Sequence, residues 1–268
     1  MNRVAIAAEA SPGELDSRYR APALEKGLDI LELLAGETEP MTLTAIVKRL
    51  GRSHGELFRM VQVLEHRGYI EQDQSNEGYQ LSDRLFSLGM QQPRMRNLHE
   101  IALPVMRQLA NEIGQSCHLA LHTLGDIVVV ARVESGELSG FSVRVGHRRP
   151  LPKAASGVVL YAFQPEDVQR RWETLFDPPL SRDELEVFKA QADSVRAQRV
   201  ILTPSPKIVG VTDISAPVMR GGLAAAALTV PYLSKKGSQS PSPKETAELV
   251  REAADRIAEQ LVETDSRI

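Results

Sequence analysis

From residue 22 the apolar positions recur at helical spacing. ALEKGLDILELL places Leu24, Leu28, Leu31 and Leu34 three and four apart, which predicts one apolar stripe on an amphipathic helix. Gly36 and Pro40 in GETEP stop that helix and turn the chain. LTAIVKRL (43–50) predicts a second, short helix with Thr42 as its cap. A third, over 54–67, lines up Leu57, Met60, Val61 and Leu64, with Ser53 as candidate cap and Gly68 as stop. His66 and Arg67 fall in its last turn, where positive charge suits the helix dipole. YIEQ and GYQL, joined by the turn-forming DQSNEG, predict a β-hairpin. Three helices followed by a hairpin is the winged helix–turn–helix layout, and Ser82 then caps DRLFSLGMQQ.

Beyond it, LHEIALPVMRQLANEIG (98–114) predicts a long amphipathic helix interrupted by Pro104 near its first turn. After Gly114 the period changes to two. SCHLALHTL and DIVVVARVES read as strands around a Gly125-Asp126 turn, and GFSVRVG (140–146) as a third strand. ASGVVLYAF (155–163), PEDVQRRWETLF and RDELEVFKAQADSVRAQ read as helices. VGVTDISAPVM (209–219) and GLAAAALTVPYL (222–233) form a strand pair around Arg220-Gly221-Gly222. KKGSQSPSP is a loop, and KETAELVREAADRIAEQLVE closes the pattern as an amphipathic helix. The expected organisation is a flexible tail (1–20), a winged helix–turn–helix module (21–90), a linker helix (91–114) and an α/β sensor-like domain (115–268).

Composition narrows the class. Of 268 residues 42% are hydrophobic and 25% charged, the balance of a soluble globular protein. A lone Cys117 forms no internal disulfide, which fits a reducing compartment. The apolar core VAIAA is too short for a signal peptide, and LAAAALTVPYL (223–233) is too short to span a bilayer, so a cytoplasmic location without membrane contact is expected. His118 and His122 lie four apart on one strand face while Cys117 points the other way, so neither a metal site nor a Cys–His nucleophile pair is expected. No cofactor signature is present.

Net charge is only −3 and gives no hint of a nucleic-acid partner. Residues 21–90 hold seven Lys/Arg against eleven acids, a poor phosphate-binding balance. Between 45 and 70, however, Lys48, Arg49, Arg52, Arg59 and Arg67 face only Glu56 and Glu65. The positive charge gathers on the two helices that would meet a duplex. The outer positions of the third helix carry His54, Gly55, Glu56, Arg59 and Gln62. Arg59 reads as a phosphate or guanine contact, or as an ion-pair partner of a first-helix acid such as Glu25. Glu56 reads as an acceptor for a cytosine amine, or simply as a first-turn acid.

Over nearly the whole chain beyond residue 20, the ordered motifs resemble IclR-type transcriptional regulators. The segment from ALEKGLDILELL to YQLSDRLFSLG is similar to the family's N-terminal half, with Arg59, Leu64, Gly68, Tyr69, Ile70, Tyr79, Leu81 and Leu88 in place. VGHRRPLPKAASGVVLYAF, VGVTDISAPV and AAAALTVP are similar to its effector-domain motifs. The resemblance implies an α+β architecture, a winged helix–turn–helix joined by a helical linker to a GAF-like α/β domain. It also implies double-stranded operator DNA, a small-molecule effector, and a homodimer or dimer of dimers.

Thr42, Arg52, Ser53, His54, Gly55, Glu56, Arg59 and Gln62 are the expected DNA contacts, with Arg52 and Ser53 on phosphate at the helix start. Ala155, Ser156, Asp213 and Thr229 are the carried-over effector positions. Ser156 and Gly157 add backbone donors near a helix N-terminus, and His118 and Arg144 are further pocket candidates. Arg144 is equally open to a solvent-facing role, and Asp213 to a structural hydrogen bond. The chain departs from the family at Gly55-Glu56, where small hydroxyl residues are usual, and at Ser205-Pro206, where acids often face the effector. The expected function is a DNA-binding regulator tuned by a small organic acid, aromatic acid or sugar-derived metabolite. The alternatives are a sensor acting through protein partners, or an enzyme using Cys117.

Overall fold

A computed structural model describes residues 21–37, 39–73, 78–91, 93–136, 140–206, 208–234 and 240–265. The expected tail (1–20), the centre of the DQSNEG turn and most of the KKGSQSPSP loop lie outside these residues. The chain divides between Gln92 and Pro93 into two units.

The first unit comprises α1 (Pro22–Gly36), α2 (Leu43–Leu50), α3 (His54–His66), strands β1 (Ile70–Gln72) and β2 (Tyr79–Leu81), and α4 (Arg84–Met90). Its core is Ile30, Leu34, Ile46, Leu57, Val61 and Ile70. The α1 stripe is rotated from the expected one. Ile30 and Leu34 are buried, whereas Leu24 and Leu28 are 63% and 48% exposed. Six leucines and isoleucines on one short helix make an apolar arc wider than the face that the core covers. Thr42 Oγ1 accepts the Ala45 N–H and starts α2, and Gly51 ends it in the left-handed conformation. β1 and β2 pair antiparallel, Ile70 opposite Leu81.

The second unit is a six-stranded antiparallel sheet in the order β5-β4-β3-β8-β7-β6. Its strands are β3 (Cys117–Thr123), β4 (Asp126–Val133), β5 (Arg148–Pro150), β6 (Ile201–Pro204), β7 (Val211–Arg220) and β8 (Leu223–Leu233). Its helices are α5 (Pro93–Ile113), α6 (Ala155–Ala162), α7 (Glu166–Glu173), α8 (Arg182–Gln198) and α9 (Pro243–Asp265). Period-two alternation sorts the strands between two cores. Leu119, Ile214, Ala216, Leu228 and Val230 pack with α5 and α9, while Ala120 and Ala227 pack with α6 and α8.

Four expectations change here. Pro104 interrupts nothing, because α5 runs from Pro93 to Ile113 with Ala102, Val105, Met106 and Leu109 buried on both sides of it. The first sheet hairpin turns at Leu124-Gly125, both at positive φ, one residue earlier than Gly125-Asp126. Residues 140–146 form no strand. They touch β4 through the Gly146 N–H to the Val129 carbonyl, and the edge place goes to Arg148–Pro150. Finally, β6 is an edge strand that the pattern did not announce; it closes on Pro204.

Candidate functional site

In α3, one turn per 3.6 residues puts Gly55, Arg59, Gln62 and His66 opposite the buried Leu57 and Val61. These four are exposed, and Arg59 has no ion-pair partner among the described residues. The other expected DNA contacts are engaged within the unit. Glu56 Oε1 sits 2.6 Å from Lys26 Nζ of α1, and its Oε2 accepts from the Ser53 N–H (3.2 Å) and hydroxyl (2.8 Å). Hydrogen bonds from Lys26 and Ser53 hold this carboxyl down at about 2. Arg52 Nη2 lies 3.1 Å from Asp29 of α1. His54 stacks on Phe58, ring centroids 6.0 Å apart.

Gly55 is helical in backbone, and a Cβ added there would meet nothing within 4 Å. The unit's own packing therefore gives no reason for a glycine.

In the second unit a recess opens between α6, β6, β7 and the 140–147 arm. It has three lobes that share Arg149 and Asp213. The inner lobe, about 60 Å³, adds His118, His147, Ser156 and Thr229. One outer lobe of about 430 Å³ runs along Pro152, Ala155, Val158, Ile201 and Pro204. The other, about 360 Å³, is edged by Arg132, Phe141, Arg144 and Ile208.

Strand register explains the inner wall. His118 of β3, Thr229 of β8 and Ser215 of β7 are direct neighbours across the sheet. The Ser215 and Thr229 hydroxyls hydrogen-bond at 2.8 Å. Asp213 is two residues from Ser215 on the same face. Burial pushes His118 down to about 4, with His147 adding to the shift, so the ring is neutral near pH 7. Its Nδ1 is buried without a hydrogen-bond partner among the described residues. Burial also raises Asp213 and lowers Arg149, each opposed by the other's charge.

At the head of α6 the N–H groups of Ala155 and Ser156 have no partner among the described residues. Gly157 does not join them as expected. Its N–H donates to the Ala154 carbonyl, and a Cβ on it would stand 1.9 Å from the Leu151 carbonyl oxygen. Gly157 is a close-packing residue.

Arg144 borders an outer lobe with its side chain exposed, while Arg149, which sequence reasoning missed, occupies the junction. In HRRP only strand register distinguishes Arg149 from its neighbours. His122 shares the face of His118 but is stacked on Trp172 at 3.7 Å, away from the recess. Cys117 lies on the opposite core, its thiol pushed up to about 12 by burial. No group of metal-ligating side chains occurs among the described residues, and none of their helices is long and apolar enough to cross a membrane.

Residues 23–74 match the IclR helix-turn-helix domain, and residues 91–259 match the bacterial transcriptional regulator IclR C-terminal domain. The chain belongs to the IclR family. Its relatives in that family are named regulators, not enzymes. The glycerol operon regulatory protein of Streptomyces coelicolor is 28% identical over 249 residues, covering 89% of this chain and 96% of that protein. The probable transcriptional regulator SauR of Cupriavidus necator is 26% identical over 224 residues, covering 80% and 88%. An IclR homolog of Microbacterium hydrocarbonoxydans, solved with 4-hydroxybenzoate, has the same fold, with a TM-score of 0.76 at 22% identity over 89% of this chain and 98% of that one. This chain is thus an IclR-family transcriptional regulator with a DNA-binding helix-turn-helix and a C-terminal effector-binding domain.

Proposed function

We propose that a small organic acid bound in the recess alters the affinity of the α3 face for operator DNA. The DNA-binding region (21–90) and the effector-binding region (115–268) are joined by residues 91–114, through which the effect passes. The protein acts as a dimer, because one short reading helix covers too little DNA for useful specificity. On the DNA side Arg59, Gln62 and the Gly55 backbone meet the duplex, Thr42 and His54 flank them, and Arg52 and Ser53 turn to phosphate when DNA displaces their internal partners.

The observation that carries the effector reading is the convergence in the inner lobe. Ala155 and Ser156, whose amides have no partner among the described residues, the half-buried Arg149, and His118, whose Nδ1 has none either, line one small space. Helix-head amides and a half-buried cation favour an anion. By linkage, an effector that changes operator affinity must have its own affinity changed by the operator by the same factor.

The test is an anisotropy titration of the DNA flanking the gene, at stated salt, with and without each of a set of small carboxylic acids. At least one acid should shift the operator dissociation constant by about 5- to 150-fold. Operator affinity that no stabilising acid moves contradicts the reading.

A further inference from the structure

The first turn of α3 offers DNA little polar side-chain chemistry. Glu56 is tied to Lys26 and Ser53, and the Ser53 hydroxyl is engaged by Glu56. Gly55 carries no side chain, and a Cβ there would meet nothing within 4 Å. What does project is aromatic. Phe58 is 41% exposed, stands outside the core of its unit, and stacks on His54 with ring centroids 6.0 Å apart.

Helical spacing puts this ring at the edge of the outer face. Gly55, Phe58 and Gln62 follow one another at three and four residues, a single strip beside Arg59. Side chains on a helix lean toward its N-terminus, so Phe58 covers the surface of the preceding turn. His54 meets it there, and Gly55 leaves room beside it. That turn is the part of a reading helix that contacts base edges in the major groove. A phenyl ring finds one good partner among those edges. Thymine presents a C5-methyl group, whereas the hydrogen-bonding groups of the other bases would be left unpaired against the ring.

We infer that Phe58 is a base-reading residue, its ring packing on the C5-methyl of an operator thymine. His54 supports the ring from behind, and the missing side chain at Gly55 lets it approach. The inference rests on the reading of the outer α3 face as the surface that meets DNA.

Uracil tests it, because it pairs as thymine does and lacks only the methyl. The site that the full chain protects in the DNA flanking the gene is synthesised with thymine and with uracil throughout. Both duplexes are titrated by anisotropy at stated salt. Wild type should bind the uracil duplex about fourfold more weakly or worse, which is what burying one methyl group is worth. Phe58→Ala should bind the two duplexes alike. Phe58→Gln should do the same, and it serves if alanine unfolds the unit. Equal binding of both duplexes by wild type overturns the inference while leaving α3 as the reading helix. So does a thymine preference that persists in the variants. If wild type protects no site, the reading of α3 falls, and the inference with it.

Discussion

Gly55 and Glu56 show how two adjacent residues on one helix serve different ends. Glu56 looks inward, tied to Lys26 and Ser53, and fixes the start of α3 against α1. Because its folded pKa of about 2 lies below the ordinary 4.5, its contribution is fully present above pH 4.5 and lost as pH falls toward 2. The melting-temperature gap between wild type and Glu56→Gln should therefore narrow through that window; a gap that stays constant contradicts the assignment. Gly55 looks outward into open space. Gly55→Ala should stabilise the fold by about 0.8–1 kcal/mol, the ordinary helix preference for alanine. It should also weaken operator binding if DNA approaches that gap. Thermal melts and titrations of the same preparation check both signs.

Among the elements, the strongly periodic ones were legible in the sequence and the partner-dependent ones were not. The helices of both units and the β7–β8 hairpin follow from apolar spacing and from the glycines at their ends. GFSVRVG alternates like a strand, but alternation says only that a segment suits a ladder, not that an edge is free to pair with it. That edge goes to Arg148–Pro150, too short and too polar to stand out, and the register of this strand is what carries Arg149 into the recess. Conversely, the place of Gly157 near a helix start suggests a backbone donor, whereas its worth lies in contact with Leu151, which no local pattern reveals. Gly157→Ala should force α6 away from residues 151–153 and cost about 1–3 kcal/mol by overpacking. Denaturant melts measure this, and a neutral result would show that α6 shifts freely.

At the scale of the molecule, charge is distributed rather than abundant. The chain is acidic overall, and α1 acids neutralise part of the basic surface through Asp29–Arg52. Few phosphate contacts remain, so the salt dependence of operator binding should be modest, near −0.9 per contact on a log–log plot. Asp29→Asn should tighten operator binding, because Arg52 then meets phosphate without first giving up its internal partner, which a titration of both proteins at stated salt reads directly. A bound effector should add stability by mass action, about 2.7 kcal/mol at a free concentration a hundred times its dissociation constant, which a thermal melt with and without it reads.

The central claim is that the outer face of α3, with Arg59 at its middle, reads the operator. Footprinting on the DNA flanking the gene, at stated salt, tests it most directly. The account predicts a discrete protected site with wild type, lost with Arg59→Ala while the melting temperature holds. Wild type without sequence preference, or Arg59→Ala protecting the same site at the same concentration, would contradict it.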